Sequence, residues 1–135
     1  MQLTRDSDYA LRIVMVMAEL AAKDVFDFPE VSLRKIALET SVPRNIAKRL
    51  CSSLCDAGIL VPGKSALTYR TGRNIFRVSL YDILSAVEGS CGLFAVFDMD
   101  CGLYEGCFGS FSEIDRNIEE ILRAADIAKL MQSQK

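Results

Sequence analysis

The residues best suited to chemistry lie in 91–107, CGLFAVFDMDCGLYEGC, which holds three of the five cysteines and three of the eight glycines in the chain. Thiolates are the softest ligands a protein offers iron, zinc or copper, and glycines let a backbone bend tightly around a small object. Cys91, Cys101 and Cys107 therefore read as a metal- or redox-sensing loop. The other two cysteines, Cys51 and Cys55, stand four residues apart with no soft ligand close in sequence, and read as packing residues.

Some body must carry this loop. The chain has 135 residues, half of them hydrophobic and a quarter charged, which fits one globular domain with an appendage. No apolar run reaches the length of a membrane span, and the opening MQLTRDSDYALR lacks the sections of a signal peptide. A cytoplasmic protein with no membrane partner is expected. In that compartment thiols stay reduced, and five cysteines is an odd number, so a disulfide framework is the weaker reading.

Charge is unevenly spread. Residues 31–78 hold nine basic side chains against Glu39 and Asp56, a local charge of +7, so a net charge of -2 leaves -9 on the remainder. Such asymmetry fits a surface that meets a polyanion; the plainer alternative is a solvated basic face.

The first helix is expected over residues 4–22, with Tyr9, Ile13, Val16, Met17 and Leu20 as its apolar stripe. After a loop around Phe28 and Pro29, Ser32 caps a short helix to Glu39, residues 40–42 turn, and Pro43 opens a second helix that stops at Gly58. This is a helix-turn-helix pattern. On the second helix Ile46, Ala47, Leu50 and Leu54 fall on one side; Arg44, Asn45, Lys48, Arg49 and Ser52 fall on the other. Arg and Lys can bond guanine or phosphate and Asn can bond adenine, so the polar side suits a DNA groove. An ordinary surface helix is the alternative.

Two strands, 59–61 and 75–78, are expected next, with Lys64, Arg70 and Arg73 on a phosphate-binding wing. Ser79 and Asp82 form a capping-box signature for a helix to Val87, stopped by Gly89. Ser112 and Asp115 repeat that signature before a long last helix whose stripe is Ile114, Ile118, Ile121, Leu122 and Ala125. Such a stripe needs a partner, and homodimerisation through it is expected; packing on the first helix is the alternative.

The opening MQLTRDSDYALR, the helix-turn-helix segment ending LCDAGIL, and SLYDILSAVEG before a cysteine loop and long helix resemble the IscR and NsrR type of regulators, the Rrf-two family. The resemblance implies a mainly α fold with a small β wing, a winged helix-turn-helix with a long C-terminal dimerisation helix. The domains are then 1–88 for DNA binding, 89–111 for the sensor loop and 112–135 for the dimerisation helix and tail. It implies a homodimeric repressor on a double-stranded DNA operator, contacted by Ser32, Arg44, Asn45, Lys48, Arg49, Lys64, Arg70 and Arg73. An iron-sulfur cluster would sit on Cys91, Cys101 and Cys107, with Asp8 as a completing carboxylate from either subunit and nitric oxide, iron or redox state as the signal.

Two features depart from the family pattern. Nine residues separate Cys91 from Cys101 where five are common, and Ser65-Ala66-Leu67-Thr68 replaces a glycine-rich wing turn before Tyr69. The chemistry also stands by itself: with no histidine in the chain, three thiolates and a carboxylate are an unusual zinc set but a workable cluster set. Bare thiol sensing, a partner-controlled repressor without metal, and a small iron-sulfur electron carrier remain as alternatives. No histidine, phosphate-cradling glycine loop or placed carboxylate pair marks a turnover site, so no enzyme is expected.

Overall fold

The computed structural model describes residues 3–23, 29–72, 74–89, 92–94 and 97–134. Its elements in order are α1 (Arg5–Lys23), β1 (Val31–Ser32), α2 (Leu33–Thr40), α3 (Arg44–Asp56), β2 (Leu60–Pro62), β3 (Thr68–Thr71), a 3-10 turn (Ile75–Arg77), α4 (Leu80–Glu88), α5 (Phe108–Ala124) and α6 (Ile127–Ser133). No described helix is long and apolar enough to cross a membrane.

The N-terminal half forms where its local signals say it should. The Ser32 hydroxyl oxygen accepts the Lys35 N–H at 3.1 Å and so caps α2. Ser41 ends α2 in the left-handed region, and its N–H bonds the Ala37 carbonyl. Pro43 is extended, and its carbonyl accepts the Ala47 N–H at 2.8 Å. It is therefore the cap of α3, one residue outside the helix it was expected to open. Gly58 follows α3 with φ +76, a backbone state that favours glycine.

Packing turns α1 away from its expected stripe. Ala10, Ile13, Val14, Met17, Ala18 and Ala21 are buried, while Tyr9, Val16 and Leu20 are only half-buried. Small alanines let α2, α3 and α4 approach closely, and their burial decides the facing side. Ile36, Leu50, Leu54, Ile59, Leu60, Ile75 and Ile83 complete the core with Ile13 and Met17.

The wing differs from expectation in its second strand. The three-stranded sheet is antiparallel, in the order β1-β3-β2, with Val31 opposite Tyr69 and Leu60 opposite Thr71. Thr68–Thr71, not 75–78, pairs with β2. Asn74 caps a 3-10 turn through the Phe76 N–H, which drops Ile75 and Val78 into the core instead of a ladder.

The capping box at α4 is complete: the Asp82 N–H donates to the Ser79 hydroxyl at 3.1 Å, and the Ser79 N–H donates to the Asp82 carboxylate at 3.0 Å. The C-terminal part is rebuilt. α5 opens at Phe108 with Cys107 as its cap, so Ser112 and Asp115 lie inside it. Asp115 instead accepts the Leu93 N–H at 2.8 Å, tying the cysteine loop to the helix.

The expected stripe, Ile114 to Leu122, lies on α5, and the chain beyond it forms a further helix rather than a tail. Ala125 leaves helical geometry, its carbonyl accepts the Leu80 N–H, and the Ile127 N–H returns to the Val78 carbonyl. Asp126 then caps α6, and Ile127 is fully buried in the core. α6 packs on α1 and the 3-10 turn, whereas α5 buries none of its residues and leaves Ile121 69% exposed and Phe108 71% exposed.

Candidate nucleic-acid interface and sensor loop

α3 presents one buried and one open side. Ala47, Leu50, Cys51 and Leu54 are buried, Ile46 is half-buried, and Arg44, Asn45, Lys48, Arg49 and Ser52 are exposed. Burial pushes the Cys51 thiol up to about 12, with Cys55 a lesser cause, and burial also raises the Cys55 thiol. Both are protonated packing groups at neutral pH.

Between α3 and the wing lies an open cleft of about 500 Å³, lined among others by Lys48, Ser52, Lys64, Leu67 and Thr68. The structure thus brings Lys48 of the helix and Lys64 of the wing turn to one hollow. Arg70 lies on β3, half-buried, while Ser32 stands exposed at the start of α2 with its hydroxyl proton still able to donate. Arg73 lies outside the described residues.

Arg49 is engaged rather than free. Its two terminal nitrogens bond the two Asp6 carboxylate oxygens at 2.9 and 3.1 Å. This bidentate pair holds the Asp6 carboxyl below its usual range, chiefly by the hydrogen bond from Arg49. A depressed carboxyl stabilises the fold above its unfolded pKa, and that contribution is lost as pH falls through the lower folded value. The pair is therefore intact throughout the neutral range.

Asp6→Asn should free Arg49 for phosphate and tighten duplex binding by roughly two- to fivefold, the scale of an exposed pair. The gain should be equal at pH 6 and pH 8. Unchanged or weaker binding in a fluorescence titration would mean that Arg49 stays with Asp6 on DNA. From the sequence, Asp6 reads only as a first-turn charge; a carboxylate 43 residues from its arginine leaves no local signal.

The start of α1 is also tied to the end of α4. Glu88 accepts hydrogen bonds from the Ser7 hydroxyl at 2.8 Å and from the Thr4 hydroxyl. Glu88 directly precedes Gly89 and the cysteine loop. A physical line thus runs from the loop through Glu88 to α1, and through Asp6 to Arg49 of α3.

In the loop, Phe94 stacks on Phe111 with centroids 4.4 Å apart, and Phe97 and Tyr104 meet the same ring edge-on at 5.7 Å each. The extra residues between the first two loop cysteines thus supply aromatic rings that pack the loop onto α5. Cys101 is exposed, Cys107 is half-buried at the start of α5, and Cys91 lies outside the described residues. Asp8 pairs with Arg12 at 2.7 Å, and Arg12 also donates to the Thr40 carbonyl.

Among the described residues, no three cysteine, aspartate or glutamate side chains converge as a metal site within one chain. The donor chemistry still fits an iron-sulfur cluster: Cys101 and Cys107 share one glycine-containing loop, and neither is in a disulfide.

A family model described as Rrf2, iron-dependent transcriptional regulator, matches residues 3–133. No curated protein matches the sequence significantly. The structure of T. potens IscR is similar with a TM-score of 0.72 at 19% identity, over 100% of this chain and 89% of that one. That of CymR (YrzC), the global cysteine regulator of B. subtilis, gives 0.76 at 19% identity, over 98% of each chain. The oxidized form of Staphylococcus aureus CymR gives 0.70 at 17% identity, over 96% of this chain and 95% of that one. At these identities the likeness establishes a shared winged-helix fold.

Proposed function

Because this chain belongs to the Rrf2 family of iron-dependent transcriptional regulators, not enzymes, we propose that it is a cytoplasmic, homodimeric, DNA-binding repressor whose loop cysteines sense iron, redox state or nitric oxide. The observation that carries the DNA side is the exposed row of Arg44, Asn45, Lys48 and Arg49 on α3, with Lys48 lining one cleft together with Lys64. Arg44 and Asn45 at the start of the helix suit base edges; Lys48, Lys64, Arg70, Arg73 and Ser32 suit phosphates.

The bare side of α5 supports pairing with a second copy. Two such helices side by side would cover Ile114, which is 43% exposed, and Ile121. The two α3 helices of a dimer would then meet two half-sites of a palindromic operator.

Cys91, Cys101 and Cys107 would hold an iron-sulfur cluster, with Asp8 of either subunit as a candidate fourth ligand. A bound cluster would supply a reactive iron centre sensitive to nitric oxide and oxidation. The chain's own part is mechanical. Tension or release in the loop reaches α4, Glu88, Ser7 and α1, and a shift of α1 moves Asp6 against Arg49. Only a difference in stability between two such arrangements can drive the change.

Duplex affinity measured across salt concentrations tests the DNA side. The log of the binding constant should fall linearly with log salt, by roughly 0.9 per phosphate neutralised. A flat dependence would overturn it. A second reading, control by thiol oxidation without a cluster, is favoured by the likeness to CymR and by the exposed Cys101 thiol.

A further inference from the structure

Glu30 lies just before β1, outside every feature discussed above, yet its carboxylate organises the wing turn. It accepts the Ser65 N–H at 2.8 Å and the Thr68 hydroxyl. The Thr68 hydroxyl also lies 2.6 Å from the Ser65 carbonyl, so the turn closes around one carboxylate. A Cβ at Gly63 would overlap both Glu30 and Thr68; glycine is what admits the carboxylate here.

The turn needs holding. Leu67 sits at φ +56, a left-handed state disfavoured for any residue with a Cβ, and its carbonyl is drawn onto the Leu33 N–H at 2.8 Å. No glycine follows Gly63 before β3 to absorb that geometry. Left alone, residues 64–67 would relax, and Lys64 would lose its place across the cleft from Lys48.

A carboxylate beside cations that meet phosphate is an electrostatic handicap, so its presence calls for a geometric reason. We propose that Glu30 is the positioning residue of the wing, fixing turn 63–67 so that Lys64 reaches the DNA backbone. This rests on the reading of α3 and the wing as a DNA interface.

The test compares duplex affinity and salt slope for the full-length parent, Glu30→Ala, Glu30→Gln, Lys64→Ala and the Glu30→Ala/Lys64→Ala double variant. Glu30→Ala should bind about tenfold more weakly, although it removes a negative charge, because Lys64 must then be ordered on binding. Its salt slope should fall by about one per wing. Glu30→Gln keeps an acceptor oxygen for Ser65 and Thr68 and should bind within about twofold of the parent. The double variant should bind no more weakly than Lys64→Ala alone, since both remove one interaction.

Additive losses, equal losses in the Ala and Gln variants, or an Ala variant that binds as well as a salt-sensitive parent would each overturn the role of Glu30 alone. A parent that fails to bind duplex DNA would overturn the interface reading and this role together.

Discussion

Replacing Arg44 and Lys48 together by alanine should lower duplex affinity by at least about thirtyfold and flatten its salt dependence. The two side chains stand one helical turn apart on the exposed side of α3, and neither pairs with a carboxylate among the described residues. A bidentate arginine pair with guanine is worth roughly 1–3 kcal/mol, and withdrawing one lysine from a phosphate lowers the salt slope by about one. Both substitutions improve intrinsic helix propensity at exposed positions, so the thermal midpoint should stay within a few degrees. An affinity within about threefold of the parent would place the DNA-binding surface elsewhere on the molecule.

Cys101→Ala should abolish iron binding and response to nitric oxide or oxidant, while leaving a folded protein that still binds DNA. The residue is exposed, its side chain supports no part of the core, and surface changes of this kind alter stability by about 0.5 kcal/mol or less. Loss of one of three thiolates leaves too few soft ligands for a cluster. Iron content and DNA affinity before and after nitric oxide check the two halves. A variant with parental iron and parental response would remove the loop from the sensing role.

The N-terminal half was legible because its signals are local. Ser32, Gly58 and the Ser79–Asp82 box each act within a few residues, and all three form as their spacing dictates. The helix-turn-helix followed from Ser32 and Gly58, and the winged-helix class from the expected strands after it and the family resemblance. Elements set by distant contacts were read less well. The run 75–78 has strand-forming residues, but the Asn74 cap and the need to bury Ile75 and Val78 make it a 3-10 turn. Thr68–Thr71, with its β-branched and aromatic residues, carried a strand signal of its own.

The last helix shows the same limit. Ser112 and Asp115 have the spacing of a capping box, yet Asp115 serves the Leu93 N–H far back in the chain, and helical turns already run through Phe111 to the Cys107 carbonyl. Asp126 caps α6 through the Lys129 N–H at the point where the expected apolar stripe ended, and the helix that follows it was not read from the sequence. In the candidate site, the basic side of α3 was plain from helical periodicity. The Asp6–Arg49 pair, the Glu88 bonds to Thr4 and Ser7, and Glu30 under the wing all join residues more than 30 positions apart, which no periodicity encodes.

The central proposal is that one chain joins a DNA-binding helix to a loop that would hold an iron-sulfur cluster on Cys91, Cys101 and Cys107. The most direct measurement is visible absorption with iron and sulfide quantitation on protein purified without oxygen, repeated after nitric oxide. The expected result is broad visible absorption with both iron and sulfide present, shifted or bleached by nitric oxide. Colourless, iron-free protein that still binds DNA would contradict it and favour control through the thiols or a partner protein.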